Sequence, residues 1–282
     1  MSIFYTKTDL SSFLKSKEMQ DQTLGLIPTM GALHEGHLSL VKKALAENEK
    51  VVVSIFVNPT QFDNPNDLDK YPRSLESDVQ LLNGLSNEII VFAPSIDDIY
   101  DSKIQSKTFD FEGLDQVMEG RFRTGHFEGV GTIVELLLRT VSPDKAYFGE
   151  KDFQQLQVIR KLVKKNNIGV EVIGCPIERE PNGLAMSSRN ERLSTELRQK
   201  ASFIYNTLKT AKQKFGTESA KHVLNWVGSE FEKNEDFELE YFSISDEDTL
   251  LPIKTKEKNK EYRAFIAVYA NDVRLIDNLK LN

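Results

Sequence analysis

Cysteine is nearly absent from this chain of 282 residues: Cys175 stands alone, so no internal disulfide and no multi-thiolate zinc site can be built from it. Long apolar runs are also missing, and none approaches the roughly 18–20 residues that span a bilayer. The N-terminal stretch MSIFYTKTDLSSFLKSKE holds no apolar core followed by a cleavage site, so no secretory signal is expected. Positive charge is in deficit: the net charge is −7 and the pI about 5.3, which disfavours nucleic acid as a partner across the whole surface. The one lysine-rich stretch, 254–260, is interrupted by Glu257 and lies between two strand-like runs, so it reads as a solvated hairpin loop. Histidine is scarce, and beyond His34 and His37 only His126 and His222 remain as partners for a metal. Internal repeats and low-complexity segments are missing too. A reduced, cytoplasmic setting without a membrane partner is the expectation.

What is present, 39% hydrophobic and 28% charged residues, suits a globular chain with a real core. Short apolar runs at 24–27, 51–57, 89–92, 145–148 and 170–174 read as buried strands. Helical patterns separate them: Leu38, Val41 and Leu45 share one face, as do Val130, Ile133, Val134, Leu137, Leu138 and Val141, and 153–163 gives another. Strands alternating with helices predict an α/β, Rossmann-like, doubly wound parallel sheet domain. After residue 178 the texture changes. Pro181-Asn182-Gly183 signals a turn, helical patterns follow at 195–215 and 218–233, and alternating strands close the chain at 237–244, 263–270 and 273–277. Two domains are expected: 1–177, binding nucleotide and substrate, and a smaller C-terminal α+β lid over 178–282.

Chemistry concentrates in three places. The segment 24–38 reads as strand, turn and helix start, with Gly31 and Gly36 permitting close approach of backbone to ligand. His34 and His37 lie one helical turn apart at a helix N-terminus, a position that favours phosphate oxygens. The pair also reads as ordinary turn residues or as two metal ligands; the glycines and the strand-to-helix context favour the nucleotide. The second cluster, Phe148-Gly-Glu-Lys-Asp-Phe-Gln-Gln, sits at a strand end, where Lys151 offers a point charge and Asp152 a cap or a ribose contact. Taken alone, it reads slightly better as a capped helix with a solvent-facing lysine. The third, Met186-Ser-Ser-Arg-Asn, joins two hydroxyls to a guanidinium in a glycine-flanked loop expected to be mobile and to fold over a triphosphate.

In this order the three clusters resemble the pantothenate synthetase (pantoate–β-alanine ligase) family of the HIGH-motif nucleotidyltransferase superfamily. Phe56-Val-Asn-Pro-Thr-Gln-Phe, Tyr71-Pro-Arg, Gly125-His-Phe-Glu-Gly-Val and Gly183-Leu-Ala-Met-Ser-Ser-Arg-Asn complete a match over nearly all of the first 195 residues. The resemblance implies a ligase that condenses (R)-pantoate with β-alanine, using ATP as substrate with Mg²⁺, through pantoyl adenylate, AMP and pyrophosphate. It implies ATP-binding by Met30, Gly31, Ala32, Leu33, His34, Glu35, Gly36, His37, Gly149, Glu150, Lys151, Asp152, Glu178, Met186, Ser187, Ser188 and Arg189. Catalytic roles fall to His37 as proton donor and to His34, Lys151 and Arg189. Pantoate falls to Gln61, Gln155, Asn58, Arg123 and His126, with Gln61 also near β-alanine; Asp78 would help place Mg²⁺ indirectly, and no direct protein ligand of the metal is implied. A homodimer is implied as well. The rival readings are a nucleotidyltransferase that stops at an activated product, a tRNA synthetase and a silent nucleotide sensor. Phe122, Thr124, Gly125 and the charged stretch 178–182 depart from the commonest family pattern and bear on the gate geometry.

Overall fold

A computed structural model describes residues 1–17, 19–100 and 103–282. Six strands form one sheet: β1 (Ser2–Phe4), β2 (Leu24–Thr29), β3 (Lys50–Ile55), β4 (Ile90–Phe92), β5 (Lys145–Gly149) and β6 (Glu171–Cys175). Their order across the sheet is β1-β4-β3-β2-β5-β6, and every pair is parallel. Parallel strands covered on both faces read as continuous apolar runs rather than alternating ones, which is why "LGLI" and "VVVSI" were legible as strands. Alternation still decides the face. Leu26, Val52 and Phe92 enter one core with the helix His126–Val141, whereas Ile27, Val51, Val53 and Val91 enter the opposite one with the helix Glu35–Glu47.

From β2 the chain winds outward through β3 to β4, and from β5 it winds the other way to β6. The carboxyl ends of β2 and β5 therefore flank the switch point, the usual place for a ligand in an open α/β sheet. A second sheet, antiparallel and three-stranded, contains β7 (Glu238–Asp246), β8 (Tyr262–Ala270) and β9 (Val273–Lys280). It packs with the helices Ser202–Thr217 and Ala220–Glu232 around its own apolar core.

The expected α/β sheet with a smaller α+β unit is what forms. Three local differences have physical causes. The strand β1 carries too few residues for a periodic signal and exists by pairing with β4 at the sheet edge. The helical pattern at 195–215 is two helices, Thr195–Lys200 and Ser202–Thr217, because Ala201, fully buried, has ψ −10° and interrupts the helical backbone. Phe56 and Val57 leave the strand expected over 51–57, since β3 stops at Ile55 and the chain turns into Pro59–Gln61. The stretch 254–260 is the exposed connection between β7 and β8. Among the described residues no helix is long and apolar enough to cross a membrane.

Candidate active site

Beyond β2 the chain must reverse sharply to start the next helix. Gly31 does so at φ +80°, where a Cβ would lie 3.0 Å from both Asp78 Oδ2 and Ile55 Cγ2. Asp78, from the helix Leu75–Leu85, accepts the N–H groups of Ala32 (2.9 Å) and Leu33 (2.7 Å). Both of its oxygens thus hold the turn, so Asp78 acts on the backbone beside the histidines. Any help it gives to Mg²⁺ runs through that turn.

His34 caps the helix Glu35–Glu47. Its Nδ1 accepts from the Gly36 N–H at 3.1 Å, and His37 Nδ1 accepts from the His34 N–H at 3.4 Å. An imidazole that accepts at Nδ1 is neutral and carries its proton on Nε2. Burial, followed by the nearby Lys151 charge, lowers the His34 pKa to about 4; burial, then His34 and Lys151, lowers that of His37 to about 3. Each ring, 4.1 Å from the other between centroids, keeps one N–H donor for the cleft.

After β5, residues Glu150–Asp152 form a short 3-10 turn before the helix Phe153–Lys165. Asp152 makes no side-chain cap bond, and Lys151 is only 17% exposed beside it, Nζ 3.6 Å from its carboxylate. A capped helix with a solvent-facing lysine therefore does not describe this segment: Lys151 lines the cleft.

The third cluster, expected as a loop that folds over a triphosphate, makes a run of bonds inside the protein. Ser187 caps the 3-10 turn Ser188–Arg192, accepting from the Arg189 N–H, and Ser188 donates to the Ala32 carbonyl at 3.0 Å. Asn190, fully buried, donates to Glu180 and to the Ala185 carbonyl, and the Met186 N–H reaches the Glu178 carbonyl. Arg189 pairs with Asp67 at 2.6 Å, and Arg192 shares that carboxylate at 2.9 Å. Five groups in a row find partners inside the protein.

Opposite the histidines lies a buried amide network. Asn58 donates to Gln61 Oε1 (3.2 Å) and to the Gly129 carbonyl (3.1 Å), and accepts from Thr60 and Tyr100. Gln61 Nε2 reaches Met30 Sδ at 3.0 Å. Gly129 lets the helix His126–Val141 press against this turn: a Cβ there would sit 2.4 Å from the Thr60 carbonyl oxygen. His126 donates Nδ1–H to the Gln61 carbonyl at 2.8 Å and accepts at Nε2 from Arg123 (3.3 Å). It is neutral too, its pKa lowered to about 3 by burial and then by the Arg123 charge.

These parts line one cleft that is open to solvent. It brings together Met30, His34, Gly36, His37, Asn58, Gln61, Arg123 and His126 with Gly149, Lys151, Asp152, Gln155, Glu178, Met186, Ser187, Ser188 and Arg189. Gly31, Ala32, Leu33, Glu35 and Glu150 are not in its lining: Leu33 is buried in the core, and Glu35 pairs with Lys42 at the surface. Sequence reasoning missed Thr29, Tyr71 and Asp67 near the cations, and all of the second sheet's contributions. Thr29, within the segment 24–38, and Tyr71 lay in stretches already singled out. Among the described residues, no cluster of three His, Cys, Asp or Glu side chains could hold a metal ion.

Comparison with known proteins identifies the family of the chain. Residues 2–280 match the family model described as pantoate-beta-alanine ligase. The pantothenate synthetase of Flavobacterium psychrophilum is 58% identical over 281 residues, covering 100% of both chains. That of Bacteroides fragilis is 45% identical over 280 residues, covering 99% of each. Among solved structures, the pantothenate synthetase of Thermus thermophilus superposes with a TM-score of 0.91 at 38% identity, covering 100% of this chain and 99% of that one. The pantoate-beta-alanine ligase of Francisella tularensis, complexed with beta-gamma ATP and beta-alanine, gives 0.82 at 38% identity, covering 100% and 98%.

Proposed function

Because the chain belongs to the pantoate–β-alanine ligase family, we propose that its cleft carries out the ATP-dependent condensation of pantoate with β-alanine in two steps, through pantoyl adenylate. One observation carries the assignment of roles: two neutral, N–H-donating imidazoles, Lys151 and the 187–189 hydroxyl–guanidinium segment converge at the switch point, facing buried amides.

In the first step a pantoate carboxylate oxygen attacks the α-phosphorus and the α–β bridging bond breaks, releasing pyrophosphate. Two anions must meet, so fixed donors have to offset their repulsion. His34 and His37 donate Nε2–H to phosphate oxygens. Lys151 supplies the full charge, and Ser187, Arg189 and, once its hydroxyl turns from the Ala32 carbonyl, Ser188 bind the departing phosphates. Arg189 then exchanges Asp67 for phosphate, while Arg192 keeps Asp67 paired. Gln61 and Gln155 hold pantoate with groups that both donate and accept, leaving the attacking oxygen unpaired by any cation. In the second step the β-alanine amine attacks the acyl carbon, loses a proton and expels AMP.

Mg²⁺ enters with the nucleotide. Among the described residues there is no carboxylate cage for it, which suits an ion held largely by substrate phosphates, and no step above depends on its placement. Division of the chain at 177/178 is supported by Leu184, which packs into the second core. A cytoplasmic setting, in keeping with the single buried thiol, and a homodimer complete the reading.

The test is AMP formation from ATP and D-pantoate. It is expected to require β-alanine and to yield pantothenate. A stable nucleotidyl product, or no turnover with pantoate in a folded, ATP-binding protein, would overturn the assignment.

A further inference from the structure

The turn that carries Lys151 is gripped from outside its own sheet. Asn278, in β9, donates through the two hydrogens of Nδ2 to the carbonyls of Glu150 (2.8 Å) and Lys151 (2.9 Å). These two carbonyls belong to the peptide planes on either side of the Lys151 Cα. Each plane is rigid, so fixing both fixes φ and ψ between them and with them the direction of the Cα–Cβ bond. The 3-10 bonds of the turn act only within it, and no side chain of the turn braces it: Asp152 makes no cap bond, and its carboxylate lies near Lys151 Nζ.

The amide itself has one possible orientation. Arg263 Nη1 donates to Asn278 Oδ1 at 2.6 Å, and a guanidinium has no acceptor, so the oxygen must face Arg263 and the NH₂ must face the carbonyls. Arg263 is aimed in turn by Glu247 (Nε to Oε1, 2.7 Å) and by the Phe153 ring, 3.9 Å from its guanidinium carbon. Phe153 is the first residue of the helix that follows the turn. Arg263 is 7% exposed and Asn278 1%, so water does not compete for these bonds.

We infer that Asn278, held by Arg263, is a positioning residue for adenylation: it sets the aim of Lys151 from the second sheet without touching substrate. The inference rests on the reading of Lys151 as a phosphate-binding cation. A displacement on the order of 1 Å of such a charge costs up to roughly 10²-fold in rate.

Four variants and two half-reactions test it. Asn278→Ser and the isosteric Asn278→Asp are compared with Lys151→Ala and with the double variant Asn278→Ser/Lys151→Ala. Each is measured in single-turnover adenylation and in β-alanine attack on supplied pantoyl adenylate. Adenylation by both Asn278 variants is expected to fall about 10- to 100-fold, the second half-reaction should stay within about twofold, and the double variant should be no slower than Lys151→Ala alone. A purely structural role would slow both half-reactions together. Additive losses in the double variant, equal loss in both half-reactions, or near-normal adenylation by Asn278→Asp would overturn the inference. Near-normal adenylation by Lys151→Ala would instead overturn the reading of Lys151, and the brace with it. Asn278→Asp keeps the test available if Asn278→Ser does not fold.

Discussion

In the adenylation proposed above, catalysis depends on which imidazole nitrogen carries the proton. Because backbone N–H groups occupy Nδ1 of both His34 and His37, each ring presents an N–H without carrying charge. Neutral donors stabilise the charge that develops at phosphorus without clamping the triphosphate in its ground state. Removing one such donor by His34→Ala is expected to slow single-turnover adenylation by about 10²–10³, the scale of one lost oxyanion donor; a near-normal rate would sink its role. The pH dependence follows from the same bonds. With pKa values of about 4 and 3, both rings are already neutral at pH 6, so adenylation should hold steady from pH 8 to pH 6. Loss of rate with a midpoint near 6.5, absent in the His34→Ala and His37→Ala variants, would show that the rings titrate normally.

At the scale of elements, the helix His126–Val141 and the turn Pro59–Gln61 act as one unit, and Gly129 is the point where they meet. A methyl group there cannot fit 2.4 Å from the Thr60 oxygen, so Gly129→Ala must push the Gln61 turn aside. The KM for pantoate should rise about tenfold or more, a displacement effect, while ATP affinity measured by calorimetry changes little; equal loss of both would argue against Gln61 as a pantoate group. Asp78 gives the complementary case. Asp78→Asn turns one acceptor into a donor facing a backbone N–H, which should cost about 1–3 kcal/mol in urea unfolding and weaken ATP more than pantoate. These elements were legible to different degrees. The β2, β3 and β5 runs and the residues at their carboxyl ends could be read because parallel strands and helix starts are written locally. The grip of Asp78 on Ala32 and Leu33 could not, since nothing in either segment refers to the other across 46 and 45 positions. The anchoring of 186–189 escaped for the same reason: Ser188 finds the Ala32 carbonyl 156 residues away. An amide and two charged residues in β9 carried no signal at all, because their partners are supplied only by packing.

Across the whole molecule, β9 reaches beyond its own sheet at three places. Asn278 holds the Lys151 turn, and Asp277 pairs with Arg179 (2.6 and 2.9 Å) at the base of the hairpin leading to Met186. Arg274 forms a bidentate pair with Glu119 (2.7 and 2.8 Å), which also accepts from Tyr241 at 2.7 Å and lies 3.5 Å from Arg123. Arg123 leads on to His126 and so to the Gln61 carbonyl. The side of the cleft proposed for pantoate is thus wired to the second sheet through a buried carboxylate. Burial alone would raise the Glu119 pKa; the bonds and charge of Arg274, with Arg123 and Tyr241, outweigh it and hold the group at about 2. A carboxyl lowered in the folded state stabilises the protein above its ordinary value near 4.5, and that contribution is lost as pH falls from there towards 2. His126 works in the same direction over a higher window. Its folded value is about 3 against an ordinary 6.5, so below pH 6.5 the unfolded chain takes up a proton that the native one refuses, at up to about 1.4 kcal/mol per pH unit. Urea unfolding from pH 7.5 to pH 3.5 should therefore lose stability in two stages, the first beginning near 6.5 and the second near 4.5. In Arg274→Met the Glu119 charge stays buried without its main partner, and about 3–5 kcal/mol should be lost at pH 7. Adding Glu119→Gln removes that charge, so the double variant should recover part of the loss and show a weaker second stage. Failure of the double variant to recover, with the second stage intact, would mean that the two sheets are held by apolar contact and that Glu119 is incidental to their docking.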